Sequence, residues 1–206
     1  MANDRVIYTI GHSNHTAERF VDLLCQHGIT AVVDVRSVPY SRIQPQFDRK
    51  NLVRDLREHS ITYVFLGREL GGRSDDPACY ENGRVRYQLL AQTNAFRKGL
   101  ERVCTGSENH RISLMCAERE PLECHRTLLI SRELESTGIK VVHIHANGHL
   151  EPHEEAMRRL LQRLGLPEQD LFRTRSELID EAYSKQEARI AYVDKQLTQE
   201  APERQS

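Results

Sequence analysis

The chain has 206 residues, a formal net charge of −1 and a hydrophobic fraction of 38%, which suits one domain, or one domain with an extension, around a buried core. No apolar run reaches the roughly 18 residues of a transmembrane helix, and the first residues lack the pattern of a signal peptide. The balanced charge argues against a protein that coats nucleic acid through a basic excess, although a local basic groove remains compatible with it.

Apolar runs alternate with amphipathic stretches along the first 145 residues. Strands are predicted over 6–10, 30–35, 61–66, 111–115 and 140–145. Helices are predicted from a cap at Asn14 or Thr16 to Gly28, then over 50–60, about 87–104 and 121 to about 137. Such alternation implies right-handed crossovers and a parallel sheet covered on both faces. We therefore predict an α/β fold, a Rossmann-like three-layer sandwich with a mostly parallel five-stranded sheet.

The chain beyond residue 150 is more charged and spaces its apolar residues as a helix does. We predict a helical C-terminal extension here. The expected organisation is an α/β domain with the site over 1–150, C-terminal helices that pack on it over 151–198, and a disordered tail over 199–206.

The cysteines are an odd number without regular spacing, at Cys25, Cys79, Cys104, Cys116 and Cys124. This usage is typical of the reducing cytosol rather than of a disulfide scaffold. We therefore predict a cytoplasmic protein.

Reactive side chains follow the ends of nearly all the predicted strands. Because ligands bind outside the carboxyl ends of parallel strands, these positions predict a site. The candidate residues at strand ends are Gly11, His12 and Ser13, then Asp34 and Arg36, then Cys116 and Glu118.

The segment "LMCAEREPLECHRTLL", residues 114–129, holds the densest group of such side chains. Pro121 suits the first position of a helix. We therefore expect Cys124, His125 and Arg126 in its first two turns, beside unpaired N–H groups that favour a thiolate. Cys116 ends the preceding strand, so the two sulfurs could approach each other across the loop.

Three uses of these residues compete. Cys116 or Cys124 could be a nucleophile, with His125 or His12 as its base. The two cysteines could be a redox or metal pair, or they could be small buried apolar groups. Their spacing lacks the short cysteine pair of structural zinc sites, so we predict no metal ligands. Convergence of polar groups at strand ends favours a functional role.

Two strand ends could hold an anion. His12 and Ser13 follow a glycine and open a helix, so their N–H groups, hydroxyl and imidazole could bind a phosphate. The alternative is that Ser13, Asn14 or Thr16 caps the helix, and both roles can hold at once. Asp34 and Arg36 lie two residues apart on one face of a strand, so they could also form a structural ion pair.

Arginines and aromatic residues alternate between residues 36 and 86, a pattern typical of proteins that grip single-stranded nucleic acid. They include Arg36, Tyr40, Arg42, Phe47, Arg49, Arg54, Tyr63, Arg68, Arg73 and Tyr80. Asp75, Asp76 and Glu81 dilute the patch. A solvated face is therefore favoured for most of these charges.

Through several of these residues, the chain resembles the domain-of-unknown-function family 488 from about residue 6 to 145. The matching motifs are Thr9-Ile10-Gly11-His12-Ser13, Asp34-Val35-Arg36 with Pro39 and Ser41, Leu70-Gly71-Gly72, and Cys116-Ala117-Glu118 with Pro121, Cys124, His125 and Arg126. The resemblance implies a small cytosolic α/β protein whose marked residues, Ser41 among them, line the strand ends. It implies no substrate.

We expect an enzyme that acts on a phosphate-bearing ligand, a nucleotide or nucleic acid. The expected anion ligands are His12, Ser13, Arg36 and Arg126. Cys116 or Cys124 would supply the thiol, with His125 as base or orienting group and Glu118 as a second acid or base. The alternatives are a noncatalytic nucleic-acid- or partner-binding module, and a thiol redox or metal-sensing protein. The sequence predicts no membrane partner and names neither a cofactor, a reaction nor an oligomeric state.

Overall fold

The structure, a computed structural model, describes residues 5–199. Within these residues the strands are β1 (Val6–Gly11), β2 (Ala31–Asp34), β3 (Thr62–Phe65), β4 (Tyr80–Glu81), β5 (Arg84–Val85), β6 (Ile112–Cys116), β7 (Lys140–Ile144) and β8 (Leu150–Pro152). Six of them form one sheet in the order β3-β2-β6-β1-β7-β8, and β4 pairs with β5 in a separate ribbon.

Neighbouring strands of the main sheet are parallel, except for the antiparallel pair β7 and β8. The predicted α/β fold with a mostly parallel sheet is thus confirmed. The sheet has six strands rather than five, because β8 adds an edge strand that the sequence did not predict. It is three residues long, and its place is set by pairing with β7, where Leu150 lies opposite Ile144.

The central strands are buried on both faces. Val33 and Leu114 belong to one core cluster, whereas their neighbours Val32 and Met115 belong to a second cluster. Successive side chains of a strand point to opposite faces, so the two clusters lie on opposite sides of the sheet. This explains why the strands read as continuous apolar runs rather than as alternating ones.

The helices of the described residues are α1 (Ala17–Gln26), α2 (Arg49–Glu58), α3 (Gly67–Leu70), α4 (Tyr87–Ala91), α5 (Asn94–Gly106), α6 (Arg132–Ser136), α7 (His153–Arg163), α8 (Arg175–Ile190) and α9 (Lys195–Gln199). Thr16 caps α1 by accepting a hydrogen bond from the N–H of Arg19. The helix predicted over 87–104 is divided into α4 and α5, because Thr93 caps a new helix by accepting from the N–H of Phe96.

The segment predicted as one helix over 121–137 is not continuous. It begins with a single 3-10 turn at Pro121–Glu123, followed by Cys124 in an extended conformation. A π-helical stretch at Arg126–Ser131 then leads into α6. The prediction that Cys124 lies in the first turns of a helix is therefore wrong, because the chain straightens at this residue.

A buried chain of hydrogen bonds joins α7 and α8 to the sheet. His143 Nδ1 lies 2.8 Å from Thr9 Oγ1, and His143 Nε2 lies 3.0 Å from His153 Nδ1. His153 Nε2 in turn lies 2.7 Å from the Tyr183 hydroxyl. Burial lowers the pKa of both histidines, to about 4 at His153. Both imidazoles are therefore neutral at pH 7.

The helices beyond residue 150 share a core with the rest of the chain, since Leu160 and Leu178 lie in the same cluster as Leu128. The division into regions over 1–150 and 151–198 stays a prediction. The predicted tail over 199–206 lies outside the described residues, apart from Gln199, which ends α9. Among residues 5–199, none of the helices has the length and apolar character needed to cross a membrane.

Candidate functional site

A cleft of about 380 Å³ lies at the carboxyl ends of β1, β2 and β6. His12, Arg36 and Cys116 line it from these three strands. Ile190 and Tyr192, at the end of α8, line it from the C-terminal extension. The cleft therefore occupies the edge of the sheet that the strand-end residues predicted.

Three soft ligand atoms meet in the wall of this cleft. The Sγ atoms of Cys116 and Cys124 each lie 3.8 Å from Nδ1 of His125, and the three atoms all lie within 4.8 Å of one another. We call Cys116, Cys124 and His125 the thiol–imidazole cluster. Both cysteines are free thiols, with exposed fractions of 3% for Cys116 and 1% for Cys124.

The ring of His125 is oriented by the backbone. Its Nε2 lies 3.0 Å from the carbonyl oxygen of Val35. A carbonyl oxygen can only accept, so Nε2 carries the proton and donates. In the neutral imidazole Nδ1 then presents a lone pair to the two sulfurs. Burial lowers the pKa of His125, but Cys124 and Glu118 raise it by more, so that it lies above its usual value.

The two thiols have opposite acidities. Burial raises the pKa of Cys124, but the contact with Cys116 and the charges of Arg126 and His125 bring it well below its usual value. The hydrogen bond to Cys124 and burial raise the pKa of Cys116 well above its usual value. Cys124 is therefore the more acidic of the two thiols.

Glu118 is the carboxyl group of the cluster. Its Oε2 lies 3.0 Å from Cys124 Sγ, so whichever of the two groups holds a proton donates it to the other. Burial and the charge of Cys124 raise the pKa of Glu118. The backbone N–H of Arg126 donates to Cys124 Sγ at 3.5 Å. The sequence predicted several unpaired N–H groups of a helix terminus beside this sulfur.

Arg126 lies behind the site rather than in the cleft. Its side chain is fully buried, and Nη1 donates to the carbonyl oxygen of Glu118 at 2.7 Å. Nη2 donates to the carbonyl oxygen of Arg119. These bonds use the guanidinium to hold the loop after β6. Nη1 and Nη2 thus donate to the backbone, and the expectation that Arg126 binds an anion stays a prediction.

Asp34 and Arg36 form the ion pair that the sequence offered as an alternative. Arg36 Nε lies 2.9 Å from Oδ1 of Asp34, and Nη2 lies 2.7 Å from Oδ2. Asp34 is fully buried and also accepts from the Tyr63 hydroxyl at 2.8 Å. Asp34 thus fixes Arg36, whose side chain lines the cleft.

His12 and Ser13 use their backbone N–H groups within the fold. The N–H of His12 donates to the carbonyl of Cys116, and that of Ser13 to the carbonyl of Ala117, each at 2.9 Å. The predicted phosphate cradle is therefore wrong in its backbone part. Gly11 is needed here, because a Cβ at this position would lie 1.9 Å from the Glu118 carbonyl oxygen.

The imidazole of His12 lines the cleft, whereas Ser13 does not belong to its lining. His12 Nδ1 donates to the carbonyl of Ser13 at 3.0 Å, and Nε2 lies 3.3 Å from Arg36 Nη1 and accepts from it. Burial lowers the pKa of His12 to about 4. His12 is thus a neutral partner of Arg36, and it stacks on Phe47 with 4.3 Å between ring centroids.

The rim of the cleft combines residues that the sequence named and residues that it missed. Ser41 lines the rim, and its Oγ accepts from the N–H of Gln44 at 3.0 Å. The guanidinium carbon of Arg73 lies 4.2 Å from the centre of the Tyr192 ring. The sequence indicates Arg73 only as part of a basic stretch. Nothing in the sequence around Tyr192 indicates that it reaches this site.

Comparison with known families gives one finding. The family model described as "Domain of unknown function DUF488" matches residues 16–132, which is more than half of the chain. Comparisons with curated proteins and with solved structures gave no match.

Proposed function

The chain belongs to the DUF488 family, and we propose that it is an enzyme acting on a phosphate-bearing ligand, a nucleotide or nucleic acid, through the Cys/His/Arg site at the carboxyl end of the sheet. One observation carries this proposal. The thiol–imidazole cluster and Glu118 share a single cleft with Arg36 and Arg73. Concave sites where reactive groups and charges converge are the usual location of binding and chemistry.

The cationic groups of the cleft suit an anionic ligand. Asp34 holds Arg36 in place, and its Nη1 contacts His12 Nε2 in the wall of the cleft, so little side-chain entropy would be lost when a ligand binds beside it. Arg73 stands over the ring of Tyr192. A guanidinium beside an aromatic face is a combination that binds a phosphate and a stacked base together. A nucleotide or a short single strand therefore fits better than inorganic phosphate alone.

The chemical groups of the cluster are suited to proton transfer. His125 Nδ1 and the Glu118 carboxyl are each adjacent to a sulfur and lie in the wall of the same cleft. They are the expected acid and base groups, and Cys116 or Cys124 supplies the thiol. Arg126 is a positioning residue, because it holds the Glu118 carbonyl rather than a ligand.

The test is binding of a panel of nucleotides and a short single-stranded oligonucleotide, measured by calorimetry on the intact chain and on two variants. Arg73→Ala removes the rim cation, and Arg57→Ala removes an arginine of α2 that is outside the cleft lining. A charge-assisted hydrogen bond contributes about 1.5–3 kcal/mol, so Arg73→Ala should weaken binding about 10- to 100-fold. Arg57→Ala should bind as the parent does.

Absence of binding to every phosphate compound, or equal affinities for the two variants, would overturn the proposal. Turnover separates an enzyme from a binding module. Cys124→Ser should abolish conversion of the bound compound while its affinity stays within a few-fold of the parent. A chain that binds but converts nothing would instead be a binding module.

A second function, thiol redox, is favoured by the closeness of the two sulfurs. Two free thiols within 4.8 Å of each other, one with a lowered and one with a raised pKa, are the arrangement of an exchange-active dithiol. Oxidation would join Cys116 and Cys124 and remove two hydrogens. Mass spectrometry after treatment with oxidised glutathione should detect this bridge if the redox function is correct.

A further inference from the structure

We infer that the thiol–imidazole cluster is a metal site that takes Zn²⁺, bound by Cys116 Sγ, Cys124 Sγ and His125 Nδ1. The inference deepens the proposed function, on which the catalytic role of the ion rests, whereas metal binding itself does not depend on it. It reverses the expectation from spacing alone that these residues hold no metal.

The distances suit a tetrahedral ion. Zn²⁺ lies about 2.3 Å from sulfur and about 2.0 Å from nitrogen, so at tetrahedral angles sulfur and nitrogen are about 3.5 Å apart and the two sulfurs about 3.8 Å apart. The two sulfur-to-Nδ1 distances are both 3.8 Å. The two sulfurs lie within 4.8 Å of each other, so an ion would draw the three ligand atoms together by about 1 Å or less. Two thiolates and an imidazole are soft donors, which favour zinc over magnesium or calcium.

The outer contacts of the cluster are those of a metal ligand. A histidine that binds a metal donates its other ring N–H to a carbonyl or carboxylate, which fixes the free nitrogen toward the ion. His125 makes this bond to the carbonyl of Val35. This bond leaves Nδ1 as the ring nitrogen that faces the two sulfurs.

The burial of the sulfurs favours ligation over direct attack on a substrate. Reactive cysteines are usually partly exposed, whereas Cys116 and Cys124 are 3% and 1% exposed. A metal ion bound by these sulfurs would lie in the wall of the cleft, which all three residues of the cluster line. Three protein ligands leave a fourth position for water or substrate, as catalytic zinc sites do.

The two cysteines belong to different elements rather than to one closed hairpin. Cys116 comes from the end of β6, and Cys124 comes from the extended residue after a 3-10 turn. The two elements are brought together by the loop that Arg126 holds through the Glu118 carbonyl. A site assembled in this way needs no short cysteine pair.

The charges around the cluster are compatible with a dication. Binding of the ion would displace the protons of both thiols, so that two thiolates balance its charge. The nearby cations are Arg36 and Arg126. Their guanidinium groups are already paired, with Asp34 and with backbone carbonyls. When bound, Zn²⁺ would act as a Lewis acid toward a phosphate oxygen or a water at the fourth position.

The first experiment measures zinc on the whole chain, purified with a reductant and without chelator. Elemental analysis should give about one zinc per chain, and titration with Co²⁺ should produce thiolate-to-cobalt charge transfer and tetrahedral d–d bands. Cys116→Ser, Cys124→Ser and His125→Ala should each lower the affinity for zinc by more than the roughly 10- to 100-fold that is lost when an outer partner of a metal ligand is removed. Cys79→Ser, which removes a buried cysteine outside the cleft lining, should bind as the parent does.

A second measurement needs no variant that could fail to fold. The parent chain is alkylated with and without Zn²⁺, and the labelled cysteines are read by mass spectrometry. Zinc should protect Cys116 and Cys124 several-fold while Cys25, which is exposed, is labelled equally in both samples. Equal labelling of Cys116 and Cys124 in both samples, or zinc held only adventitiously at far below one ion per chain, would overturn the inference.

The failure of this inference is distinguishable from failure of the proposed function. If zinc is not bound but phosphate compounds still bind in an Arg73-dependent manner, the metal site is excluded and the proposed function survives. If one zinc is bound but no phosphate compound binds to the loaded or the zinc-free chain, the metal site is upheld and the proposed ligand is excluded.

Discussion

His125 Nε2 donates to the carbonyl oxygen of Val35 at 3.0 Å. This bond joins the residue after Cys124 to the strand end next to Arg36, and it turns the opposite nitrogen of the ring toward both sulfurs. One backbone carbonyl therefore decides which atom of His125 faces the cluster. A backbone carbonyl cannot be removed by substitution. The position of the His125 ring can instead be tested by substituting a residue that packs against it.

Gly72 packs against this ring and provides the test. A Cβ at position 72 would lie 3.0 Å from Cγ of His125, closer than ordinary contact. Gly72→Ala should displace the imidazole and weaken zinc binding about 10-fold or more, as changes that misorient a metal ligand do. The free energy of unfolding should fall by no more than about 1–3 kcal/mol. Metal titration and urea denaturation measure the two quantities.

Gly106→Ala, in α5, is the matched control, since its Cβ would contact only the end of the Ile112 side chain in β6. It should leave the affinity for zinc unchanged. Equal zinc affinity in Gly72→Ala and the parent would mean that the orientation of His125 is unimportant.

Arg126 should affect stability more directly than ligand binding. Its guanidinium donates to the carbonyl of Glu118, and its Nε is buried without a partner among the described residues. Arg126→Met should lower the free energy of unfolding by about 1.5–3 kcal/mol, the contribution of a hydrogen bond from a charged group. Urea denaturation measures this change. Arg73→Ala is the comparison, and its free energy of unfolding should lie within about 0.5 kcal/mol of that of the parent.

An Arg126→Met chain that is as stable as the parent but has lost phosphate binding would restore the original prediction for this residue. The contrast between Arg126 and Arg73 is useful because both are arginines of the same site. One is buried behind the loop and the other is on the rim of the cleft.

The sequence predicted which strand ends meet, but not which atoms face the cleft. The positions of His12, Arg36 and Cys116 followed from strand order alone, since parallel strands end at one edge of the sheet. The role of Arg126 could not be predicted, because it depends on the extended residue Cys124 and the π-helical stretch after it. Tyr192 enters the site by tertiary packing of α8, for which the sequence carries no local signal.

The ion pair of Asp34 and Arg36 predicts a large effect of a small substitution. Asp34 is fully buried and accepts from both Arg36 and Tyr63. Asp34→Asn removes the charge and leaves the Arg36 guanidinium buried without a counter-ion. The expected loss in the free energy of unfolding is about 3–5 kcal/mol, as for other broken buried pairs. Chemical denaturation at pH 7 measures it.

Asp55→Asn is the control for the Asp34 variant. Asp55 pairs with Arg54, whose side chain is 65% exposed. Surface pairs of this kind contribute about 0–1 kcal/mol. Similar losses for both variants would show that the buried pair is not what fixes the strand end.

The buried histidines predict how stability depends on pH. His143 and His153 are neutral in the folded state because burial lowers their pKa, to about 4 at His153. In the unfolded chain both titrate near a pKa of about 6.5. As pH falls below 6.5 the unfolded state takes up protons that the folded state refuses, so stability present above this pH is progressively lost down to pH 4. For His153 the shift corresponds to about 3 kcal/mol.

His153→Gln tests the origin of this loss. Glutamine does not titrate and can still contact the Tyr183 hydroxyl, the partner of His153 in the parent. The free energy of unfolding, measured at pH 7, 6 and 5, should decrease less for the variant than for the parent. The difference is the part of the pH dependence that comes from proton uptake by His153. Carboxylates also titrate below pH 5, so the comparison is made above that pH. A variant whose stability falls as steeply as that of the parent would mean that His153 does not drive the dependence.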